Sequence, residues 1–533
     1  MSTDKSGPSE HYSHRSLIRS TSIISAGTLS SRILGFIRDI LLAKLLGTGF
    51  KADAFFVAFR IPNLLRDLVG EGAANAAVVP VLSEYVHTED KRSVAQFISV
   101  IFVLVVMVLL VVTIIGIVLA PVIVHLIAPG FAAEMEKIRL TTTLTRILFP
   151  YLILVGLGAY AMAVLYTFKS FVAPAFGPCL LNLAIIGSAV LAIVTGLEAV
   201  YVLAFGVLVG GLLPVVMQML VMKRLGIQFI KPTTFNHPGA RRVGQLLIPR
   251  LVGSGVYELN VFVDTLCASL ASIVGPGGVS AIYYANRLIQ FPMGIFGLAL
   301  ASAALPTFSQ LATQKDFIQF KATLRFSLET IIFLMLPITV MFMIFSMPLI
   351  KFLFERGEFD TYSTYITASA LLFLSMGLVS FGGVKIMVTA FHATQDTKTP
   401  VKVASICLIV NVVLNFLLMV PMQVGGIALA SAIASTLNFC MLFYLLHKRL
   451  GGLETGWISF LVRVILATVV SGTMTSLLWK FLPFPELRRL IVSASIGLAL
   501  YATICYFLRI TQAQKTLAWI QEKLFKTSPD ESR

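Results

Sequence analysis

Long apolar runs without a charged residue constrain this chain more than any other feature of its sequence. Such runs cover residues 98–120, 330–350 and 403–421. A membrane helix needs about 20 apolar residues to cross a hydrocarbon core of about 30 Å, so each run is long enough for one span. Transmembrane β-strands are shorter and alternate in polarity, which excludes a barrel. The sequence therefore predicts an all-α, polytopic membrane protein.

Charged residues are few, and their placement excludes one class of partner. Only 12% of the 533 residues are charged and 57% are hydrophobic, whereas soluble domains carry about 25% charged residues. The net charge of +16 would suit nucleic acid, but Lys and Arg gather in short polar gaps between the apolar runs, as they do in cytoplasmic loops. We therefore expect no binding to nucleic acid.

The hydropathy pattern predicts about fourteen spans, and the loop charges predict their orientation. The spans are placed at 22–46, 53–85, 95–127, 138–168, 174–195, 199–222, 244–273, 279–310, 322–349, 362–392, 400–421, 425–447, 457–481 and 488–509. The even-numbered loops are rich in Lys and Arg, whereas the odd-numbered loops hold fewer, among them Lys51 and Lys137. Because basic loops stay in the cytoplasm, both termini are predicted to be cytoplasmic.

Two pairs of segments repeat at nearly the same offset of about 226 residues. Residues 54–61 (AFFVAFRI) align with 281–288 (AIYYANRL), and 163–174 (AVLYTFKSFVAP) align with 389–400 (TAFHATQDTKTP). A parallel repeat of this kind is typical of transporters whose two lobes meet at a central cavity. The predicted parts are a cytoplasmic tail 1–20, an N-lobe of helices 1–6 at 21–224, a basic cytoplasmic loop 225–242, a C-lobe of helices 7–12 at 243–449, two further helices within 450–510 and a cytoplasmic tail 511–533.

Ionisable side chains interrupt the first two predicted spans and recur in the second half of the chain. They include Arg32, Arg38, Asp39, Asp53, Arg60, Arg66, Glu71 and Arg287. A charge at the centre of a membrane helix costs about 2.5–3.5 kcal/mol, so it is expected to face a cavity or a partner. Salt bridges between helices would explain some of these charges. Guanidinium groups in both halves of the chain indicate a substrate that carries an oxyanion, because Arg binds oxyanions through paired hydrogen bonds. The sequence thus predicts transport of an anionic substrate.

Three segments resemble a known family. SRILGFIRD (31–39), DAFFVAFRIPNLLRDLVGEGAANAAVVPVLSEY (53–85) and YYANRLIQFPMGIFGLALASAALP (283–306) are similar to motifs of the MurJ/MviN family of lipid II flippases, and the resemblance extends over essentially the whole chain. That family shares a two-lobe fold with multidrug and polysaccharide exporters. The resemblance implies export of lipid II, the undecaprenyl-pyrophosphate-linked peptidoglycan precursor, from the inner to the outer leaflet of the bacterial cytoplasmic membrane.

The resemblance also implies roles for single residues. Those matched to substrate binding are Arg32, Arg38, Asp39, Arg66 and Arg287. Those matched to the gate and the cavity are Asp53, Arg60 and Glu71. By the same likeness, the last two helices (457–509) would hold the polyprenyl tail.

The expected partners are lipid II and membrane lipids. The basic loop 223–242 is open to two interpretations. It is either a solvated cytoplasmic loop or a contact for anionic lipid or for a protein of cell-wall synthesis or division.

A sodium site is a weaker expectation, and no other cofactor is expected. Its oxygen ligands would come from Asp264, Asn411, Asn415 and Ser431. Sodium, like other hard cations, prefers oxygen ligands. Buried Asn side chains more often form hydrogen bonds between helices, and the set contains one carboxylate. Transport would be driven either by a sodium gradient or by the membrane potential, and the sequence leaves both open.

Other functions compete with lipid II export. An exporter of another lipid-linked saccharide fits the same charges, whereas a cation-coupled drug exporter of the same fold would place arginines against a cationic substrate. A membrane transferase would need an acid cluster or a nucleophile–base pair in a sizeable loop, and the polar loop 223–242 contains no acid. No Walker A or HExxH motif occurs. We therefore expect a transporter rather than an enzyme.

Overall fold

The computed structural model describes residues 8–69, 73–232, 234–452 and 456–525. Regular structure within these ranges is helical and includes no strand, which confirms the predicted all-α class. The α-helices are α1 (Pro8–Leu46), α2 (Phe50–Val69), α3 (Ala73–Thr88), α4 (Lys91–Val118), α5 (Ala120–Ile127), α6 (Met135–Leu148), α7 (Tyr151–Thr167), α8 (Val172–Thr195), α9 (Ala199–Arg224), α10 (Pro238–Ser269), α11 (Ala271–Val274), α12 (Gly278–Pro292), α13 (Leu298–Thr313), α14 (Phe317–Phe354), α15 (Thr361–Ser375), α16 (Leu378–Ala393), α17 (Lys398–Arg449), α18 (Trp457–Phe481), α19 (Glu486–Phe507) and α20 (Thr511–Phe525). A 3₁₀ turn (Pro129–Ala133) precedes α6, and a π turn (Met293–Gly297) joins α12 to α13.

Many of these helices are long and apolar enough to cross a membrane. In the described part of the chain nine helical runs meet this condition, with α6–α7 and α12–α13 each counted as one run, and the pair α15 and α16, bent by 46°, would make ten. One of the nine, α17, contains two predicted spans and leaves helical geometry between them at Gln423 (φ 49°, ψ −129°). The described residues of each predicted span lie mostly in one helix or in two consecutive helices. The figure of fourteen membrane crossings stays a prediction.

The surface of these helices is apolar where a soluble protein would be polar. On α4, Val108 and Val118 are at least 60% exposed, and on α17 the same holds for Ile409 and Leu417. Continuous apolar surface of this kind is rare on soluble monomers. Lipid tails accept it directly, so the exposed side chains support a polytopic membrane protein.

Aspartate side chains outside the spans cap the starts of several helices, among them α4 and α17. Asp90 accepts a hydrogen bond from the backbone N–H of Ser93 (2.9 Å) at the start of α4. Asp396 accepts from the backbone N–H (3.0 Å) and the hydroxyl (2.8 Å) of Thr399 at the start of α17. The backbone hydrogen bond from Thr399 is the main cause that lowers the pKa of Asp396. Both caps satisfy amide groups that a helix start leaves without a partner.

The chain divides into two compact units. The first comprises the described residues of Met1–Ser272 together with Pro276–Ser280 and Arg356–Asp360. Within it α8 packs against α1 and α9, α2 against α6, and α3 against α7 and α10. A core of buried residues that includes Val81, Phe97, Tyr160 and Met222 joins α3, α4, α7 and α9. This packing places the charged helices α1 and α2 against apolar neighbours.

The second unit comprises Ile273–Gly275, Ala281–Glu355 and the described residues of Thr361–Arg533. Within it α14 packs against α15, α16 and α18, α17 packs against α15 and α16, and α18 packs against α19. The C-terminal helix α20 is held to α14 by a hydrogen bond from Gln512 Nε2 to Glu329 Oε2 (2.9 Å). The lobe boundaries and the repeat remain predictions.

The end of α1 depends on a glycine. Gly47 follows the last helical residue with φ +60°, the left-handed conformation that commonly ends a helix. The backbone N–H of Glu358 donates to the carbonyl oxygen of Lys44 (2.9 Å), and a Cβ at position 47 would collide with the carbonyl oxygen of Glu358. Gly47 therefore fixes the contact between α1 and Arg356–Asp360 inside the first unit.

We expect Gly47→Ala to destabilise the first unit, because the new Cβ meets both the strained φ and the Glu358 carbonyl. Strain of this kind costs about 1–3 kcal/mol. The matched control is Gly49→Ala, since a Cβ there has no atom within 4 Å. Thermal unfolding of the detergent-solubilised protein measures both. Equal midpoints for the two variants would show that the end of α1 does not need a glycine at position 47.

Candidate functional site

A buried charge pair lies in the apolar part of α1. Arg38 Nη2 and Nε lie 2.8 Å and 3.0 Å from Asp39 Oδ1. Arg38 is 7% exposed and Asp39 is 2% exposed. Burying either charge alone would cost several kcal/mol, so the pair makes both tolerable in α1. The structure thus brings together two of the residues that the sequence assigned to substrate binding.

A third residue joins this cluster from another helix. Asn182 on α8 accepts a hydrogen bond from Arg38 Nη1 at Oδ1 (2.9 Å). Its Nδ2 donates to the backbone carbonyl oxygen (2.9 Å) and to Oγ (3.2 Å) of Ser31. Ser31 and Arg38 lie about two turns apart on α1, and both form hydrogen bonds with this one amide, which ties α1 to α8.

The close approach of α1 and α8 makes this contact possible. A Cβ at Gly27 would collide with the carbonyl oxygen of Ala175, and one at Gly35 would lie 3.6 Å from Asn182 Nδ2. One turn before Asn182, Cys179 Sγ contacts the carbonyl oxygen of Gly27 at 3.6 Å. Small residues let membrane helices pack this closely. Close packing of the two helices therefore brings Asn182 within reach of Arg38.

A second buried cluster surrounds Asp53 at the start of α2. Lys137 Nζ lies 3.0 Å from Asp53 Oδ2, which also accepts from the backbone N–H of Gly277 (3.2 Å). Asp53 Oδ1 accepts from the backbone N–H (3.0 Å) and the hydroxyl (2.7 Å) of Ser280. Lys137 Nζ also lies 4.4 Å above the ring of Phe131. One carboxylate thus joins α2, α6 and the segment Pro276–Ser280 inside the first unit.

Arg32 and Arg60 are half-buried in the first unit. The Nη2 group of Arg60 lies 3.4 Å from the carbonyl oxygen of Val261 on α10. The side chain of Arg66 and the whole of Glu71 lie outside the described residues. Their assigned roles stay predictions.

Arg287 lies on α12 in the second unit and has aromatic and amide neighbours. Its Nη2 donates to the hydroxyl of Tyr283 (3.0 Å) and its Nη1 to Oε1 of Gln290 (3.1 Å). The guanidinium carbon lies 5.0 Å from the centre of the Tyr283 ring. These contacts orient the guanidinium along α12. Its assigned role in substrate binding stays a prediction.

Two residues of these clusters were missed from the sequence. Asn182 was not singled out, although it is a lone strongly polar residue in the apolar run 178–195. Lys137 was assigned to a loop, but it lies in α6 and is 1% exposed. That assignment was wrong because α6 begins three residues before the predicted span. The position of Lys137 next to the first residue of a predicted span was the signal that it could belong to the helix.

The structure offers little that would hold a metal among the described residues. There no group of three or more His, Cys, Asp or Glu side chains could hold an ion. Asp264 lies on α10 in the first unit, and Asn411, Asn415 and Ser431 lie on α17 in the second. Asn411 and Asn415 are buried. The sodium set stays a prediction.

Comparison with known proteins decides the family. A family model described as lipid II flippase MurJ matches residues 42–487. The chain belongs to the lipid II flippase MurJ family. The resemblance read from the three sequence motifs is therefore confirmed.

Relatives from bacteria agree with membership of the MurJ family. The lipid II flippase MurJ of Burkholderia cenocepacia is 34% identical over 468 residues, which cover 86% of this chain and 89% of that protein. The probable lipid II flippase MurJ of Buchnera aphidicola subsp. Acyrthosiphon pisum is 34% identical over 448 residues, which cover 84% of this chain and 87% of that protein. The similarity therefore extends across most of both chains.

Solved structures show the same fold. A lipid II flippase MurJ in an inward closed conformation has a TM-score of 0.78 and 26% identity, and the match covers 91% of this chain and 98% of that one. An inward-facing multidrug resistance transporter of the MATE family has a TM-score of 0.65 at 14% identity, with 79% and 94% covered. The second likeness concerns the fold alone.

The Asp53 cluster yields a stability prediction. We expect Lys137→Met to lower the free energy of unfolding by about 3–5 kcal/mol, because it leaves a buried carboxylate without its cation. Unfolding in mixed micelles by sodium dodecyl sulfate measures this change.

The matched control is Lys51→Met. Lys51 pairs with Glu198 at 2.7 Å, but both side chains are about half exposed, and such pairs contribute about 0.2–1 kcal/mol. If both lysine variants cost the same, Lys137 does not neutralise a buried charge.

Proposed function

We propose that this protein is a flippase that moves lipid II from the inner to the outer leaflet of the bacterial cytoplasmic membrane, with both termini in the cytoplasm. The similarity over at least 84% of the chain to relatives named lipid II flippases carries the proposal. The substrate crosses without a covalent change, so the protein acts as a transporter and not as an enzyme. An exporter of another lipid-linked saccharide is the second candidate, since a similar pyrophosphate would bind the same arginines.

Arg38 is the proposed contact for the pyrophosphate in the first unit. Its charge is balanced by Asp39 and its plane is fixed by Asp39 and Asn182. A guanidinium that is oriented beforehand loses less side-chain entropy when it binds an oxyanion. Asp39 therefore orients Arg38 for the substrate, and the two charges together keep the resting helix stable in lipid.

The other assigned arginines share this task. We propose that Arg66 and Arg287 also bind the pyrophosphate and that Arg32 supports the cavity wall. Replacement of any of these arginines by Ala is expected to lower the apparent affinity for lipid II. Arg60, Glu71 and Asp53 are assigned to the cavity and its gate. Helices α18 and α19 are assigned to the polyprenyl tail.

The Asp53 cluster supports the assignment of a gate. The carboxylate accepts from Lys137, Gly277 and Ser280, so α2 is held to Pro276–Ser280. Opening at this point would require these hydrogen bonds to break together, which favours two discrete states over a gradual motion. A Ser280→Ala variant that folds normally and transports at the wild-type rate would exclude this role.

The membrane potential is the proposed driving force. An anionic head group that moves outward goes down the field by about 2.3 kcal/mol per charge per 100 mV. We expect an ionophore that collapses the potential to slow transport in vesicles, and replacement of sodium by choline to leave it unchanged. The opposite pattern would favour the sodium set.

Exposure of lipid II in living cells tests the proposed function. In bacteria depleted of their own flippase, the wild-type chain should restore access of an external probe to lipid II. Arg38→Ala should reduce this exposure by about tenfold or more, the effect of losing hydrogen bonds from a charged donor. Quantification of labelled lipid II at matched protein levels measures both.

The control variant is Arg242→Ala, because Arg242 forms an exposed salt bridge with Glu84 and should be dispensable. If the wild-type protein inserts normally and lipid II stays inside, lipid II is not the substrate, and another lipid-linked saccharide takes its place.

A further inference from the structure

Asn182 reaches the Arg38 cluster from another helix. Asp39 follows Arg38 directly in the chain, so their ion pair is made within α1. Asn182 is 144 residues away on α8 and is 5% exposed. This side-chain amide therefore connects the Arg38 guanidinium directly to α8.

The hydrogen bonds divide the guanidinium between two acceptors. Nε and Nη2 donate to Asp39 Oδ1, and Nη1 donates to Asn182 Oδ1. Because the guanidinium is planar and rigid, contacts on two of its edges fix both its plane and its direction. The amide of Asn182 is itself fixed, since Nδ2 donates twice to Ser31. Its oxygen therefore has one orientation toward Arg38.

The chemistry of the amide also matters. Arg38 and Asp39 together carry no net charge, and the neutral amide adds a hydrogen-bond acceptor without adding a negative charge. A carboxylate at position 182 would make the cluster negative and would compete with a phosphate for the guanidinium. An aliphatic side chain would leave Arg38 Nη1 without this acceptor in a buried position, which is costly.

We infer that Asn182 is a positioning residue that orients the Arg38 guanidinium for the pyrophosphate of the substrate. This inference rests on the proposed function. Asn182 acts through Arg38 and not by contact with the substrate. Its removal should therefore weaken binding only while Arg38 is present to be oriented.

A double-mutant cycle separates this role from helix packing. The measured quantity is the half-saturating lipid II concentration for transport by the purified full-length protein in vesicles, alongside the maximal rate. Asn182→Ala should raise the half-saturating concentration by roughly tenfold, comparable to the loss of a hydrogen bond to a charged group. In an Arg38→Lys background, the same substitution should change it by less than about twofold, because coupled residues are not additive.

Two further variants keep the test decisive. Cys179→Ala removes a contact of the same two helices one turn away without touching Arg38, so its half-saturating concentration should match the wild type. Asn182→Asp preserves the size of the side chain, so its half-saturating concentration can still be measured if the Ala variant unfolds. It should also raise the half-saturating concentration, since the added charge opposes the phosphate.

The outcomes are distinguishable. Equal effects of Asn182→Ala in both backgrounds, or an effect of Cys179→Ala as large, would overturn the positioning role and leave only packing. If Asn182→Asp binds lipid II as tightly as the wild type, a negative charge at position 182 does not oppose the phosphate, and the requirement for a neutral amide there is wrong. Failure of the wild-type protein and of Cys179→Ala to transport lipid II would instead overturn the proposed function.

Discussion

A charged guanidinium in an apolar helix needs an opposite charge and hydrogen-bond acceptors beside it. The contacts of Arg38 in the first unit meet this requirement. The carboxylate of Asp39 supplies the opposite charge within α1, and the amide of Asn182 supplies a further acceptor from α8. That acceptor is within reach because α1 and α8 pack closely at Gly27 and Gly35. Backbone packing, a hydrogen bond and a neutralised charge therefore depend on one another.

Asp53 meets the same requirement in a different way. Its compensation comes from a lysine on α6 and from the start of α12, where the backbone N–H groups of Gly277 and Ser280 point at the carboxylate. An anion at a helix start is favoured by the helix dipole as well as by these hydrogen bonds. The Arg38 cluster thus orients a cation that is suited to an oxyanion, whereas the Asp53 cluster ties chain segments together. This difference supports separate roles in binding and gating.

The sequence was sufficient to predict the helices, because apolar length and the cost of an unpaired amide in lipid leave few alternatives. It also predicted the break in α17, where Gln423 falls in the gap between two predicted spans. Arg38, Asp39 and Asp53 stood out for the same reason, since charges are rare in such helices. Their partners could not be predicted. Asn182 and Lys137 lie 144 and 84 residues from the groups they contact, and only packing brings them together.

Transport by the purified protein in vesicles tests the central claim most directly. Lipid II would be placed in both leaflets, and a membrane-impermeant reagent would follow its appearance at the surface to which this protein exports it. We expect faster appearance than in protein-free vesicles. We also expect inhibition by excess undecaprenyl pyrophosphate, which offers the same anion, and none by neutral undecaprenol. Appearance at the rate of protein-free vesicles, or equal inhibition by both lipids, would contradict an anion-binding lipid II flippase.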